Sequence, residues 1–236
     1  MKEWAGMQQG VGRVARAADR DRSWRAGNLQ RRYGTISELV VKRKEDGSRQ
    51  QLVVKRVNPP ADSGVSHERK LKSYEVEACF YTDHAPALLQ AGRCPIATPL
   101  HVCCDLMSSG GSMTLLLTDL RPTYPNNAGQ MSLQQCRAAL TWLAGFHAHF
   151  WERPTPEGLW AQGSYWHLDT RWDEYEAIGP EWADLKAAAK TIDQRLKGFL
   201  PSGEHSSKHR TVVHGDFKFC AVHGRLGHLG PLELGG

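Results

Sequence analysis

Two runs of β-branched and aliphatic residues, Ser37–Arg43 (SELVVKR) and Arg49–Val57 (RQQLVVKRV), flank the tetrapeptide Glu45-Asp46-Gly47-Ser48. Asp-Gly supplies the backbone freedom of a tight turn, so the two runs are expected to pair as an antiparallel hairpin. In the second run, strand alternation puts Val53, Lys55 and Val57 on one face and Leu52 and Val54 on the other. Lys55 therefore stands on an apolar face. Either it snorkels to water from an edge strand, or it holds an ammonium inside a cleft that receives phosphate oxygens.

Beyond Pro59-Pro60, the stretch SHERKLKSYEVEACFYTDHAPALL carries Leu71, Tyr74, Ala78 and Tyr81 at helical spacing. Ser66 with Arg69 makes no capping box, which leaves the start of this helix open. Glu77 flanks its apolar face between Tyr74 and Tyr81 and is a candidate ion-pair partner for Lys55; Glu75 is the rival, and a solvated glutamate is the third reading. MTLLLTDL (113–120) has the composition of a buried strand.

A second helix announces itself through Ser132 and Gln135, a capping-box pair, and runs through Trp151 with Leu133, Cys136, Leu140, Leu143 and Phe150 along one face. His147 and His149 lie two residues apart on it, so they point in different directions and form no helical metal pair; His147 is read as a packing residue. Residues 154–180 read as a long loop anchored by Trp160, Tyr165, Trp166, Trp172 and Tyr175. A third helix over about 181–199 presents Leu185, Ala189, Ile192, Leu196 and Phe199 as its buried side. After the linker PSGEHSSKH comes a short apolar run and then His214-Gly215-Asp216.

The totals agree with a packed chain: 236 residues, 40% hydrophobic, 23% charged, with eight tryptophans. A net charge of +5 favours an anionic ligand without naming one. No aromatic-basic module of the usual nucleic-acid-binding kinds is present, so nucleic acid is not an expected partner. No apolar run approaches the about 20 residues that span a bilayer, and the start of the chain has no hydrophobic signal core. Residues 1–28, rich in glycine, arginine and alanine, are expected to be a poorly ordered leader. The arginines there hint at a transit peptide, but Asp19 and Asp21 argue against it. The six cysteines contain no C-x-x-C pair, which suits reduced thiols and a cytoplasmic location.

Six stretches, LVVKRVNPP, SHERKLKSYEVEACFY, LLLTDL, WLAGFHAHFW, GLWAQGSYWHLDTR and VVHGD, spread in order over about residues 29–218. In them the chain resembles the aminoglycoside-phosphotransferase and choline-kinase-like enzymes, and among these the ecdysteroid-kinase-like branch. The resemblance implies an α+β, protein-kinase-like two-lobe fold, with a β-rich lobe and hinge over 29–120 and a partial, mainly helical lobe over 121–218. It implies ATP and magnesium as cofactors, and a hydroxyl of a small molecule as phosphoryl acceptor. Lys55 resembles the strand lysine that contacts ATP phosphates, and Glu77, four residues before Tyr81, resembles its helix partner. Leu117, Thr118, Asp119 and Leu120 resemble the hinge over which adenine lies, and Tyr33-Gly34 the Tyr-Gly of the phosphate loop. Asp216 matches the aspartate that takes the acceptor's proton.

The match fails at four places. The family carries an acidic residue where this chain has Thr118, which restricts adenine contacts to backbone groups. Five residues after Asp216 the family has a magnesium-binding asparagine, and here that position is Ala221. Its later metal-binding aspartate has no counterpart either, since Glu233 is the sole acidic residue after Asp216. The segment before Tyr33 also seats fewer residues than the family does. Residues 219–236 are accordingly expected to be a divergent tail, the chain to be truncated within the catalytic loop, and phosphoryl transfer to be impaired, with a pseudokinase as the alternative. Cys220, His214, His223 and His228 offer only a loose zinc-like pattern, and no metal ligand is assigned.

Overall fold

A computed structural model describes residues 33–44, 46–61, 64–124, 132–154, 156–163, 167–198 and 209–215, together with the backbone of 233–235. The chain is a mixed α+β structure in which an antiparallel sheet comes first and helices follow. Strand β1 (Gly34–Lys42) and strand β2 (Arg49–Val57) form the expected hairpin, in register from Gly34 opposite Val57 to Lys42 opposite Arg49. Gly47 takes φ +69° in the connection, a conformation that an L side chain resists. Asp46 braces the same turn by accepting the Ser48 N–H and hydroxyl at 2.9 and 2.7 Å.

Helix α1 (Val65–Cys79) follows, passes into a five-residue π-helical turn (Phe80–His84), and continues as α2 (Ala85–Ala91). Gly64 precedes α1 without a side-chain cap, in keeping with the missing capping box. The chain returns to the sheet as β3 (Pro99–Cys104) and β4 (Met113–Thr118), giving the strand order β1-β2-β4-β3. β4 alternates strictly, burying Met113, Leu115 and Leu117. β3 is not foreseen by the sequence reading: PLHVCC begins with proline and shows no alternation, and its six residues are intermediate or exposed.

Helix α3 (Leu133–Phe150) starts with the expected capping box, Ser132 and Gln135 each serving the other's backbone N–H. Its buried side matches the expected one only in part: Phe150 is buried and Cys136 and Leu143 are half-buried, but Leu133 and Leu140 are exposed, and Ala139, Phe146 and His149 are buried with Phe150. The aromatic residues set this orientation: Trp142 stacks on Phe146 with ring centroids 5.5 Å apart and donates its indole N–H to the Pro95 carbonyl at 2.7 Å. The aliphatic edge of the stripe is left outside.

The aromatic segment contains a short helix α4 (Trp172–Glu176), with Tyr175 buried and Trp172 exposed; Tyr165 and Trp166 lie outside the described residues. A single 3-10 turn (Pro180–Trp182) leads into α5 (Ala183–Lys197). On this helix the expected buried side is reversed. Leu185, Ile192 and Leu196 are exposed, Ala189 is half-buried, and Phe199 lies outside the described residues. The helix docks by its polar side: Asp193 accepts the Leu168 N–H at 3.1 Å, Lys186 donates to the Glu176 carbonyl at 3.1 Å, and Lys197 pairs with Asp169 at 2.8 Å. The Leu168 N–H and the Glu176 carbonyl take charged side chains as partners, which leucines could not supply, and the Asp169 carboxylate takes Lys197.

Strand β5 (Thr211–Val213) pairs antiparallel with β6 (Glu233–Gly235) and rests on α3, where the Thr211 hydroxyl donates to the His147 carbonyl at 2.7 Å. One apolar cluster joins β2 and β4 of the sheet to α1, α2, α3 and Val212 of β5. No helix among the described residues is long and apolar enough to cross a membrane.

Candidate functional site

Lys55 sits on an inner strand, opposite Ile36 of β1 and opposite Leu115 of β4. Directly opposed residues share a face of the sheet, so Lys55 shares that of the fully buried Leu115. An ammonium there requires an anion. Glu77 of α1 supplies it, with Oε2 2.5 Å from Nζ. The glutamate is 3% exposed and the lysine side chain 13%. The rival Glu75 pairs with Lys72 at 3.5 Å, one turn along its own helix.

Burial pushes the Glu77 carboxyl above its ordinary pKa, and the Lys55 ammonium recovers only part of that shift. The second carboxylate oxygen, Oε1, is buried without a hydrogen-bond partner, as is the Tyr81 hydroxyl. Tyr74 closes the other side of Lys55, with Nζ 5.1 Å from its ring centroid. Burial first, then the Glu77 and Tyr33 charges, push the Tyr74 hydroxyl up to about 12.

Tyr33 and Gly34 enter this neighbourhood from the start of β1. The Tyr33 ring is buried, lies 6.5 Å from that of Tyr74, and carries Lys70 at 4.0 Å over its face. Its hydroxyl shares a 2.8 Å hydrogen bond with His67 Nδ1. Gly34 is the first strand residue, and a Cβ there would lie 2.3 Å from the Arg56 carbonyl oxygen. Its lack of a side chain thus serves the close pairing of β1 with β2.

The hinge candidates are more committed to the fold than a recognition strand would be. Leu117 is fully buried. The Thr118 N–H donates to the Thr98 carbonyl at 3.0 Å, the Thr118 hydroxyl accepts the Thr98 N–H at 2.8 Å, and the Asp119 N–H donates to the Gln51 carbonyl at 3.2 Å. The Leu120 carbonyl accepts from Thr123 and Tyr124. Among the described residues the Leu120 N–H has no hydrogen-bond partner, which makes it the one free hinge donor of these three.

The Asp119 carboxylate accepts from the Arg121 backbone N–H and Nε, at 2.9 Å each, and Arg121 reaches on to Glu38 of β1. Burial opposes ionisation of Asp119, but the Arg121 hydrogen bonds outweigh it and hold the carboxyl below its usual pKa. Arg121 was not foreseen. Its spacing from Asp119 was the available signal, since a side chain two residues ahead readily folds back on an aspartate.

The approach to Asp216 is anchored, although Asp216 itself lies outside the described residues, as does Ala221. His214 is 1% exposed and packs edge-on against Trp142 at 6.0 Å, and Gly215 takes φ +71°. Cys220, His223 and His228 also lie outside. Among the described residues no group of three His, Cys, Asp or Glu side chains is arranged to hold a metal ion. A comparison with known protein families finds no matching family model, and no curated protein shows significant similarity to the chain.

Proposed function

We propose that this chain is a phosphotransferase-like protein with a two-lobe, kinase-type arrangement, which binds ATP through Lys55 and Glu77 and resembles enzymes that phosphorylate a hydroxyl of a small molecule. The observation that carries the reading is the buried Lys55–Glu77 pair. A buried ion pair is weak as a stabilising device, because desolvation cancels most of its attraction. A strand lysine fixed by a helix glutamate is, on the other hand, what neutralising phosphate charge requires.

Adenine nucleotide fits the residues in part. Lys55 offers the cation, and Leu120 offers a hinge N–H, while Thr118 and Asp119 have theirs engaged. Magnesium lacks its expected amide ligand, because Ala221 stands where the asparagine is needed. Asp216 is assigned as the base that takes the acceptor's proton, and transfer is impaired for want of metal ligands. The second reading, nucleotide or partner binding without transfer, is favoured by Ala221. Free thiols at all five cysteines among the described residues suit a cytoplasmic protein.

Calorimetry with ATP, with and without magnesium, tests the reading. ATP should bind, and Lys55→Met should weaken it about tenfold or more, about 1.4 kcal/mol. Affinity indifferent to magnesium, with no phosphoryl transfer, selects the binding-only form. Magnesium-dependent transfer that Asp216→Asn reduces by about 10²-fold or more selects the catalytic form. Equal affinity in Lys55→Met would remove the basis of both.

A further inference from the structure

Two stretches that the sequence singled out for different reasons meet at one side chain. Arg69, in the second turn of α1, forks over the turn at 167–170: Nη2 donates to the Asp169 carbonyl at 2.7 Å and Nη1 to the Thr170 carbonyl. That turn is itself fixed. The His167 carbonyl accepts the Thr170 N–H, the Arg171 N–H and the Thr170 hydroxyl. From the far side, Asp193 of α5 accepts the Leu168 N–H at 3.1 Å, and Lys197 bridges Asp169 and Asp193 at 2.8 and 3.2 Å. Thr170 and Asp193 are 4% and 7% exposed, so the joint is packed.

The same helix carries Glu77. Eight residues separate it from Arg69, about 12 Å along the axis, and a helix transmits a displacement over that distance with little loss. Gly64 gives α1 no side-chain cap, so its placement depends on contacts made beyond the helix. Besides the apolar face that Val76 and Ala78 bury in the core, these include the His67–Tyr33 bond and the Arg69 fork, which reaches across a hundred residues of sequence.

We propose that Arg69 is a positioning residue: its fork on the 167–170 turn sets the placement of α1 and so holds Glu77 against Lys55. The proposal rests on reading Lys55 and Glu77 as the phosphate-binding pair. It ties α5 and the aromatic segment to that pair through one planar cation. Two carbonyls side by side suit the fixed donors of a guanidinium, whereas an ammonium is a point charge and engages them less completely.

The test is the acylation rate of Lys55 by an amine-reactive ester, read by mass spectrometry, in the wild type, Arg69→Ala and Arg69→Lys, with ATP calorimetry alongside. Iodoacetamide alkylation of Cys94, a free thiol 2% exposed in the core, reports unfolding separately. Arg69→Ala should speed Lys55 acylation several-fold while Cys94 stays protected, and Arg69→Lys should fall between. Unchanged Lys55 acylation in Arg69→Ala overturns the proposal, and so does an increase matched at Cys94. Faster acylation of Lys55 with no effect on ATP affinity upholds the positioning role and counts against the phosphate reading instead.

Discussion

The Lys55 ammonium and the Glu77 carboxylate, 22 residues apart, meet at 2.5 Å while the second oxygen of Glu77 stays buried and unsatisfied. Such an arrangement is costly to break from one side only. Lys55→Met leaves a buried carboxylate without its counter-charge and should cost about 3–5 kcal/mol at neutral pH, whereas Lys55→Met combined with Glu77→Leu should recover most of that loss. Urea denaturation of the two single variants and the double variant measures the coupling. Additive losses would show that the pair does not act as a unit.

The same carboxyl gives the Lys55→Met variant a pH signature. Burial raises the folded-state pKa of Glu77, so folding favours its protonated form. The linked stability is present below the unfolded carboxyl pKa of about 4.3 and is lost as pH rises through the raised value. The deficit of Lys55→Met relative to wild type should therefore shrink on acidification. A deficit constant from pH 4 to 8 would argue that Glu77 is solvated once Lys55 is gone.

Asp119 behaves in the opposite sense. Its folded pKa is lowered because the hydrogen bonds from Arg121 outweigh burial, so its contribution is complete above the unfolded pKa of about 3.9 and lost as pH falls through the folded one. Asp119→Asn should lose about 1.5–3 kcal/mol at pH 7, the range for hydrogen bonds to charged groups, and show a shallower acid limb. Denaturant midpoints between pH 2 and 7 check both parts. An unchanged limb would assign the acid sensitivity to other groups.

How much of this was legible follows from where each partner lies. The β1–β2 hairpin is written in four consecutive residues, and the cap of α3 in Ser132 and Gln135, so local chemistry suffices for both. Lys55 was legible because it broke an apolar strand face, and Glu77 because it flanked the apolar face of its helix, with Glu75 left as a rival until the structure paired that residue with Lys72. Periodicity located the apolar stripes of α3 and α5 but not the side on which neighbours would settle. On α5, Lys186 and Asp193 found backbone partners in the 167–177 segment and Lys197 the Asp169 carboxylate, and the leucines turned outward. Arg69 left no trace, because the carbonyls it binds lie a hundred residues away and carbonyls carry no residue-specific signal.

The outward stripe of α5 supplies the last prediction. Leu185, Ile192 and Leu196 are 58%, 56% and 54% exposed, so lysine or glutamate at any one of them removes little buried area. Each such substitution should change stability by no more than about 0.5 kcal/mol, as surface changes usually do. Leu117, fully buried between the sheet and α1, is the contrast: Leu117→Ala should cost about 2–5 kcal/mol through lost transfer energy and the cavity left behind. Thermal melts of Leu185→Lys, Ile192→Glu and Leu117→Ala discriminate between the two docking modes of α5. Had the stripe faced inward, as its spacing predicts, the α5 variants would melt as early as Leu117→Ala. With the polar side inward, Asp193→Ala is the damaging change on this helix, because it strips the Leu168 N–H of its partner and leaves Lys197 with Asp169 alone of the two carboxylates it bridges.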